Sequence, residues 1–204
     1  MSNGTKRRLV QIRQEKFNET VNALAHNLRT GRITLNMWEE EMRTQIRLLH
    51  TGMGAIGKGS WKAMTSSDWG RVGNVIKQQY KWLHGFAQDI YKRRDTITEG
   101  QIAWRARLYG DAGAYTATII GAGDVTDFLP WIPRDGSTEC LNRCRCEWLL
   151  SEDDPDRDGM KAVEAVWTLH PAEHCATCVS RDGHREYFTV PAEMEIPATI
   201  GGYG

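Results

Sequence analysis

The sequence has no apolar run approaching the roughly 18 residues that a membrane-spanning helix needs, so no membrane span is expected. It also lacks a charge excess, with 26 Lys+Arg against 26 Asp+Glu in 204 residues. Prolines are few, six in all. Neither Pro/Ser blocks nor dense charge runs occur, which sets the chain apart from disordered proteins. The stretch from Met1 to Lys16 is polar and basic and contains no apolar h-region, so no secretory signal peptide is expected. No internal repeat is present. What remains is globular composition, 40% hydrophobic, at a length suited to one domain or one domain with a small appendage.

The zero net charge hides an asymmetry. Residues 1–109 hold 19 Lys+Arg and 9 Asp+Glu, whereas residues 110–204 hold 7 and 17. All five cysteines follow the switch in sign. This divides the chain into a basic helical part and an acidic, cysteine-bearing part. A basic surface can be a solvated helix face or a contact for nucleic acid or an acidic protein. The positive charges are spread along several helices, which favours the former.

Apolar spacing of three to five residues at Leu9, Ile12, Phe17, Val21, Leu24 and Leu28 predicts an amphipathic helix over residues 6–28, stopped by Gly31. Thr34 is placed to cap a second, with Leu35, Trp38, Met42, Ile46 and Leu49 on one face. Four glycines between Thr51 and Ser60 predict a loop. Ser66 or Ser67 would cap a third helix presenting Trp69, Val72, Val75, Ile76, Tyr80, Leu83, Phe86, Ile90 and Tyr91. A fourth follows from about Glu99 to Ile120. Trp38, Trp69, Tyr80, Leu83 and Phe86 are expected to be largely buried. Beyond residue 124 only short runs such as Glu147–Leu150 and Ala165–Leu169 suggest strands. The expected fold is mainly α: a four-helix body over residues 1–124, then a small irregular zinc-stapled module with short β-hairpins over residues 125–204.

Two motifs imitate ligand loops. Gly52-Met-Gly-Ala-Ile-Gly57-Lys58 matches most of a phosphate loop, but Gly59 stands where the magnesium-binding hydroxyl belongs, and an amphipathic helix precedes it instead of a buried strand. Asp154, Asp156 and Asp158, with Gly159 after them, match half of a calcium loop; position 12, which should be a bidentate acid, is Ala165. An acidic surface turn is the plainer reading, with a weak Ca2+ site as the alternative.

The cysteines carry the chemistry. Cys140-Leu-Asn-Arg-Cys144-Arg-Cys146 is followed by His174-Cys175-Ala-Thr-Cys178. A C-x-x-C turn brings two thiolates onto one tetrahedral ion, and the first cluster supplies two more, as in structural Zn2+ sites. Disulfides compete less well because five is odd and a chain made in the cytosol stays reduced. A redox C-x-x-C would need a thioredoxin-like βαβ context that is missing. The favoured ligands are Cys140, Cys144, Cys175 and Cys178, with Cys146 and His174 as alternates. One of Cys144 and Cys146 is expected to point away.

These residues also bring a family into view. Asp135-Gly-Ser-Thr-Glu-Cys-Leu-Asn-Arg-Cys-Arg-Cys-Glu-Trp148 and Val166-Trp-Thr-Leu-His-Pro-Ala-Glu-His-Cys-Ala-Thr-Cys178 resemble the cysteine-rich end of tailed-phage minor head proteins, the head morphogenesis proteins related to the Mu minor head protein. Gly31-Arg-Ile-Thr, Asp68-Trp-Gly and Arg105-Ala-Arg-Leu-Tyr109 are similar to its helical region. Here the C-R-C element precedes C-x-x-C, and Cys140 takes the place of a histidine often found before C-R-C. The resemblance implies a virion protein made in the bacterial host cytoplasm. It would act near the portal vertex in head assembly or genome delivery, with portal or major capsid proteins as partners and contact with packaged DNA.

No histidine stands with a nucleophile and acid in a catalytic pattern. The zinc deaminase signature H-x-E followed by P-C-x-x-C is also missing, since Pro171 is not adjacent to Cys175. A structural protein is therefore expected rather than an enzyme. A zinc-stabilised nucleic-acid-binding protein is the alternative, with a zinc hydrolase or deaminase behind it.

Overall fold

The computed structural model describes residues 1–171 and 173–201. Four long helices come first: α1 (Asn3–Arg29), α2 (Leu35–Lys58), α3 (Ser66–Lys92) and α4 (Glu99–Ala122). A four-stranded antiparallel sheet of β1 (Glu147–Glu152), β2 (Met160–Thr168), β3 (Arg185–Pro191) and β4 (Thr199–Gly201) follows, in the order β3-β2-β1-β4. A short helix, α5 (Ala176–Arg181), lies between β2 and β3 in the chain. The fold is therefore mainly α with a small β module. It divides into two compact units, Met1–Ala117 and Thr118–Gly204. The division falls within α4 rather than at residue 124, where the helical periodicity ends. No helix among the described residues is long and apolar enough to cross a membrane.

Side-chain caps set the helix starts. Ser2 accepts from the Thr5 amide and Thr34 from the Met37 amide, satisfying donors that have no partner inside the helix. The cap of α3 lies one residue before Ser66. Thr65 is the cap, in a reciprocal box with Asp68. Burial alone would raise the Asp68 pKa; the Thr65 amide and hydroxyl and the Lys58 ammonium, 3.2 Å away, outweigh it and hold the carboxyl below its usual range.

The glycine-rich segment is not a loop. α2 runs through it to Lys58 and ends at Gly59, whose φ of 100° suits a left-handed cap. The glycines serve close packing instead. A Cβ on Gly57 would lie 2.3 Å from the Ala117 carbonyl oxygen, and one on Gly52 would meet the Arg13 guanidinium at 2.2 Å. Arg13 donates to the Leu48 carbonyl and Lys6 to that of Gly57, so α1 is tied to the α2 backbone where side chains are missing.

Trp38, Met42, Ile46, Leu83, Phe86 and Ile102 are fully buried, and Trp38 meets Phe86 edge-on at 5.3 Å. Two expectations about the core fail. Trp69 is 36% exposed and stacks on Trp61 outside the bundle, and Tyr80 is half-buried, its hydroxyl donating to the Arg43 carbonyl. Val72, one turn further along the same stripe, is buried, so Trp69 is left at the edge and finds a local partner in Trp61. His50 is buried, with Nδ1 2.7 Å from the Thr116 hydroxyl, and burial lowers its pKa to about 4.

The second unit has an aromatic core of its own. Trp148 pairs with Trp167 across β1 and β2, and Trp131 stacks on Trp148 at 5.7 Å while its carbonyl accepts from the Trp148 indole N–H. Phe128 stacks on Phe188 at 5.0 Å. The acidic half therefore buries more apolar surface than its composition suggests. The Asp154–Asp158 segment is the β1–β2 connection, with Gly159 at φ 73°. The Asp156 carboxylate accepts from the Asp158 and Met160 amides, and Ala165 lies buried in mid-strand. The three carboxylates form no ligand group among the described residues. The calcium alternative gives way to a hairpin turn that uses its own acid.

Candidate metal centre

Two short segments deliver the cysteines. In the first, Cys140 and Cys144 bracket a single 3-10 turn, Leu141–Arg143, and Cys146 directly precedes β1. Leu141 adopts φ 52°, a left-handed conformation costly for a side chain branched beyond Cβ. The strain accompanies a turn tight enough to bring Cys140 and Cys144 to one point. Hydrogen bonds from the Leu141 amide to Thr138 and from the Arg143 amide to Cys140 hold it. In the second segment, Cys175 caps α5 and Cys178 lies in its first turn.

The segments are laced together. The Thr177 hydroxyl and amide donate to Glu139, and the Cys175 thiol hydrogen bond, with these, holds the Glu139 carboxyl down to about 2. Arg181 at the end of α5 donates to Ser137 and lies over the Trp131 ring, 4.1 Å from its centre.

Cys140, Cys144 and Cys178 place their sulfurs within 4.8 Å of one another, a group able to hold a metal ion. Cys140 lies 3.8 Å from Cys178, and Cys144 3.7 Å from it. A tetrahedral ion with bonds near 2.3 Å sets its sulfurs about 3.8 Å apart. Cys175 adjoins through Cys140 at 3.1 Å. All five thiols are free. Cys144 belongs to the group of three and Cys146 does not. Both are buried, and the Cys146 thiol interacts with those of Cys144 and Cys178 from beside the group. His174 points Nδ1 at the Cys146 sulfur, 3.5 Å away.

The thiols do not ionise independently. Hydrogen bonding from Cys146 lowers Cys144 to about 6. Cys146 is raised by that same bond, and Cys178 first by burial and then by its neighbours. The first thiolate resists a second beside it. Only a cation placed among the sulfurs would let several ionise together, which is the electrostatic demand of a metal site.

Sequence reasoning found both cysteine elements but missed Glu139, whose role depends on a distant threonine. An acid directly before a cluster cysteine was the available signal. Compared with family models, with curated proteins and with solved structures, the chain matches none.

Proposed function

We propose that this chain is a structural protein of a tailed-phage head, acting near the portal vertex in assembly or genome delivery, with its cysteine cluster closed on a structural Zn2+. One observation carries the reading: the two elements behind the resemblance to minor head proteins, C-R-C and C-x-x-C, fold against each other with the Cys144 and Cys178 sulfurs 3.7 Å apart. Cys140, Cys144, Cys175 and Cys178 would form the shell. Four thiolates leave no coordination place for a reacting water, so the role is structural and the chain is not assigned an enzymatic one. The virion is the proposed location, after synthesis in the host cytoplasm, and portal or major capsid proteins are the proposed partners.

The test is co-purification of tag-free protein with portal or procapsid. Charge reversal at Arg93 and Arg94, both exposed at the end of α3, is expected to reduce that association. Arg105 is the poorer choice, because it already pairs with Asp89 at 2.7 Å and covers Phe86. Protein that stays monomeric and ignores portal and capsid components would sink the reading. A second reading, nucleic-acid binding, rests on the 19 Lys+Arg against 10 Asp+Glu in Met1–Ala117. Retention on DNA that falls steeply between low and moderate salt, without portal binding, would favour it.

A further inference from the structure

Three further metal-ligating side chains stand beside the group of Cys140, Cys144 and Cys178: Cys175, Cys146 and His174, and the last two are arranged as ligands are. Cys146 is fully buried and touches Cys144 and Cys178. His174 Nε2 lies against the His170 carbonyl oxygen. A carbonyl only accepts, so Nε2 carries the ring proton and Nδ1 keeps its lone pair. That lone pair is the one beside Cys146, at 3.5 Å. Bonds of about 2.3 Å to sulfur and about 2.05 Å to nitrogen in a tetrahedral shell put S and N about 3.5 Å apart. A backbone carbonyl orienting a histidine through its far nitrogen is also the usual support of a metal-bound imidazole. His170 Nε2 itself lies 3.0 Å from Oε1 of Glu147, the residue after Cys146.

Contacts order the donors. Cys175 touches Cys140 and Cys178; Cys140 and Cys144 each touch Cys178; Cys146 touches Cys144 and Cys178; His174 touches Cys146. The Cys144–Cys178 pair therefore sits between two others, Cys140 with Cys175 and Cys146 with His174. Two tetrahedral ions need eight bonds in all, and six donors provide them when two thiolates bridge.

We infer that the centre is binuclear: it takes two Zn2+ ions, one held by Cys140 and Cys175, the other by Cys146 and His174, with Cys144 and Cys178 bridging both. The inference rests on the zinc reading above and extends it to a second ion. Each Zn2+ displaces the protons of its thiols to solvent, and no redox change is involved.

The experiment is zinc counting on the full, tag-free chain, by elemental analysis and by intact mass under native conditions. Two zinc ions per chain are expected. Cys146→Ser and His174→Ala should each retain one, whereas Cys178→Ser should retain neither, because it removes a bridge. One zinc in the unaltered chain overturns the binuclear centre and leaves the single-ion staple standing. No zinc overturns both. Two zinc ions that persist in both Cys146→Ser and His174→Ala would place the second ion elsewhere and also overturn the inference. The count on the unaltered chain decides the matter even if a variant fails to fold.

Discussion

His50 shows how one side chain can tie stability to pH. It sits on α2 with no exposed surface, and its Nε2 has no hydrogen-bond partner among the described residues. Burial lowers its pKa from 6.5 to about 4 in the folded chain. Between those values the unfolded chain binds a proton that the folded chain refuses. Stability contributed by neutral His50 is therefore present above pH 6.5, is lost as pH falls toward 4, and changes no further below that. The expected loss between pH 7 and pH 5 is about 2 kcal/mol. Urea titrations followed by helical circular dichroism at the two pH values would measure it. His50→Gln should flatten the dependence; an unchanged slope in that variant would assign the effect to other groups.

Among the elements, α2 depends most on what it omits. Alanine is a better helix former than glycine by about 1 kcal/mol, so Gly→Ala within α2 should stabilise it if nothing stood in the way. At Gly57 the obstacle is the Ala117 backbone carbonyl, 2.3 Å from the added Cβ, and backbone yields poorly. Gly57→Ala is expected to destabilise the helical unit by about 1–3 kcal/mol. At Gly52 the obstacle is the far end of the Arg13 side chain, which can swing aside at the cost of its bond to Leu48. Gly52→Ala should therefore cost distinctly less. Denaturant midpoints of the two variants give the comparison, and equal costs would contradict close packing at Gly57.

At the scale of the molecule, the two units are stabilised by different means. Met1–Ala117 buries apolar helix faces, whereas Thr118–Gly204 combines a tryptophan core with the cysteine cluster. Chelation by EDTA should release the strain held at Leu141 and loosen α5 and the residue 134–146 segment. The helical circular dichroism should be nearly unchanged, and tryptophan fluorescence should shift as Trp131 and Trp148 become solvated. Cys175→Ser should behave similarly without chelator. A helical signal that collapsed together with the fluorescence change would mean that the units do not fold separately. The units also differ in charge, 19 Lys+Arg to 10 Asp+Glu in the first against 7 to 16 in the second. Association through either should weaken with salt.

The sequence by itself determined the helices and the cysteine elements of the cluster. Period and caps placed α1 to α4 to within a few residues, apart from the end of α2, because an amphipathic stripe and an Ncap hydroxyl are local signals. The spacing of the cysteines pointed to the cluster that Cys140, Cys144 and Cys178 form, because chelation needs thiols a turn apart. Tertiary structure decided what depends on a distant neighbour. Gly52 and Gly57 read as loop residues until a facing backbone made them packing residues. Trp69 read as core until the bundle left it at the rim. The β3 and β4 pairings were illegible because short strands gain their stability from partners far along the chain. Cys146 and His174 read as alternates, and only folding showed that residue 146 comes to lie beside residue 174, a proximity that no local pattern encodes.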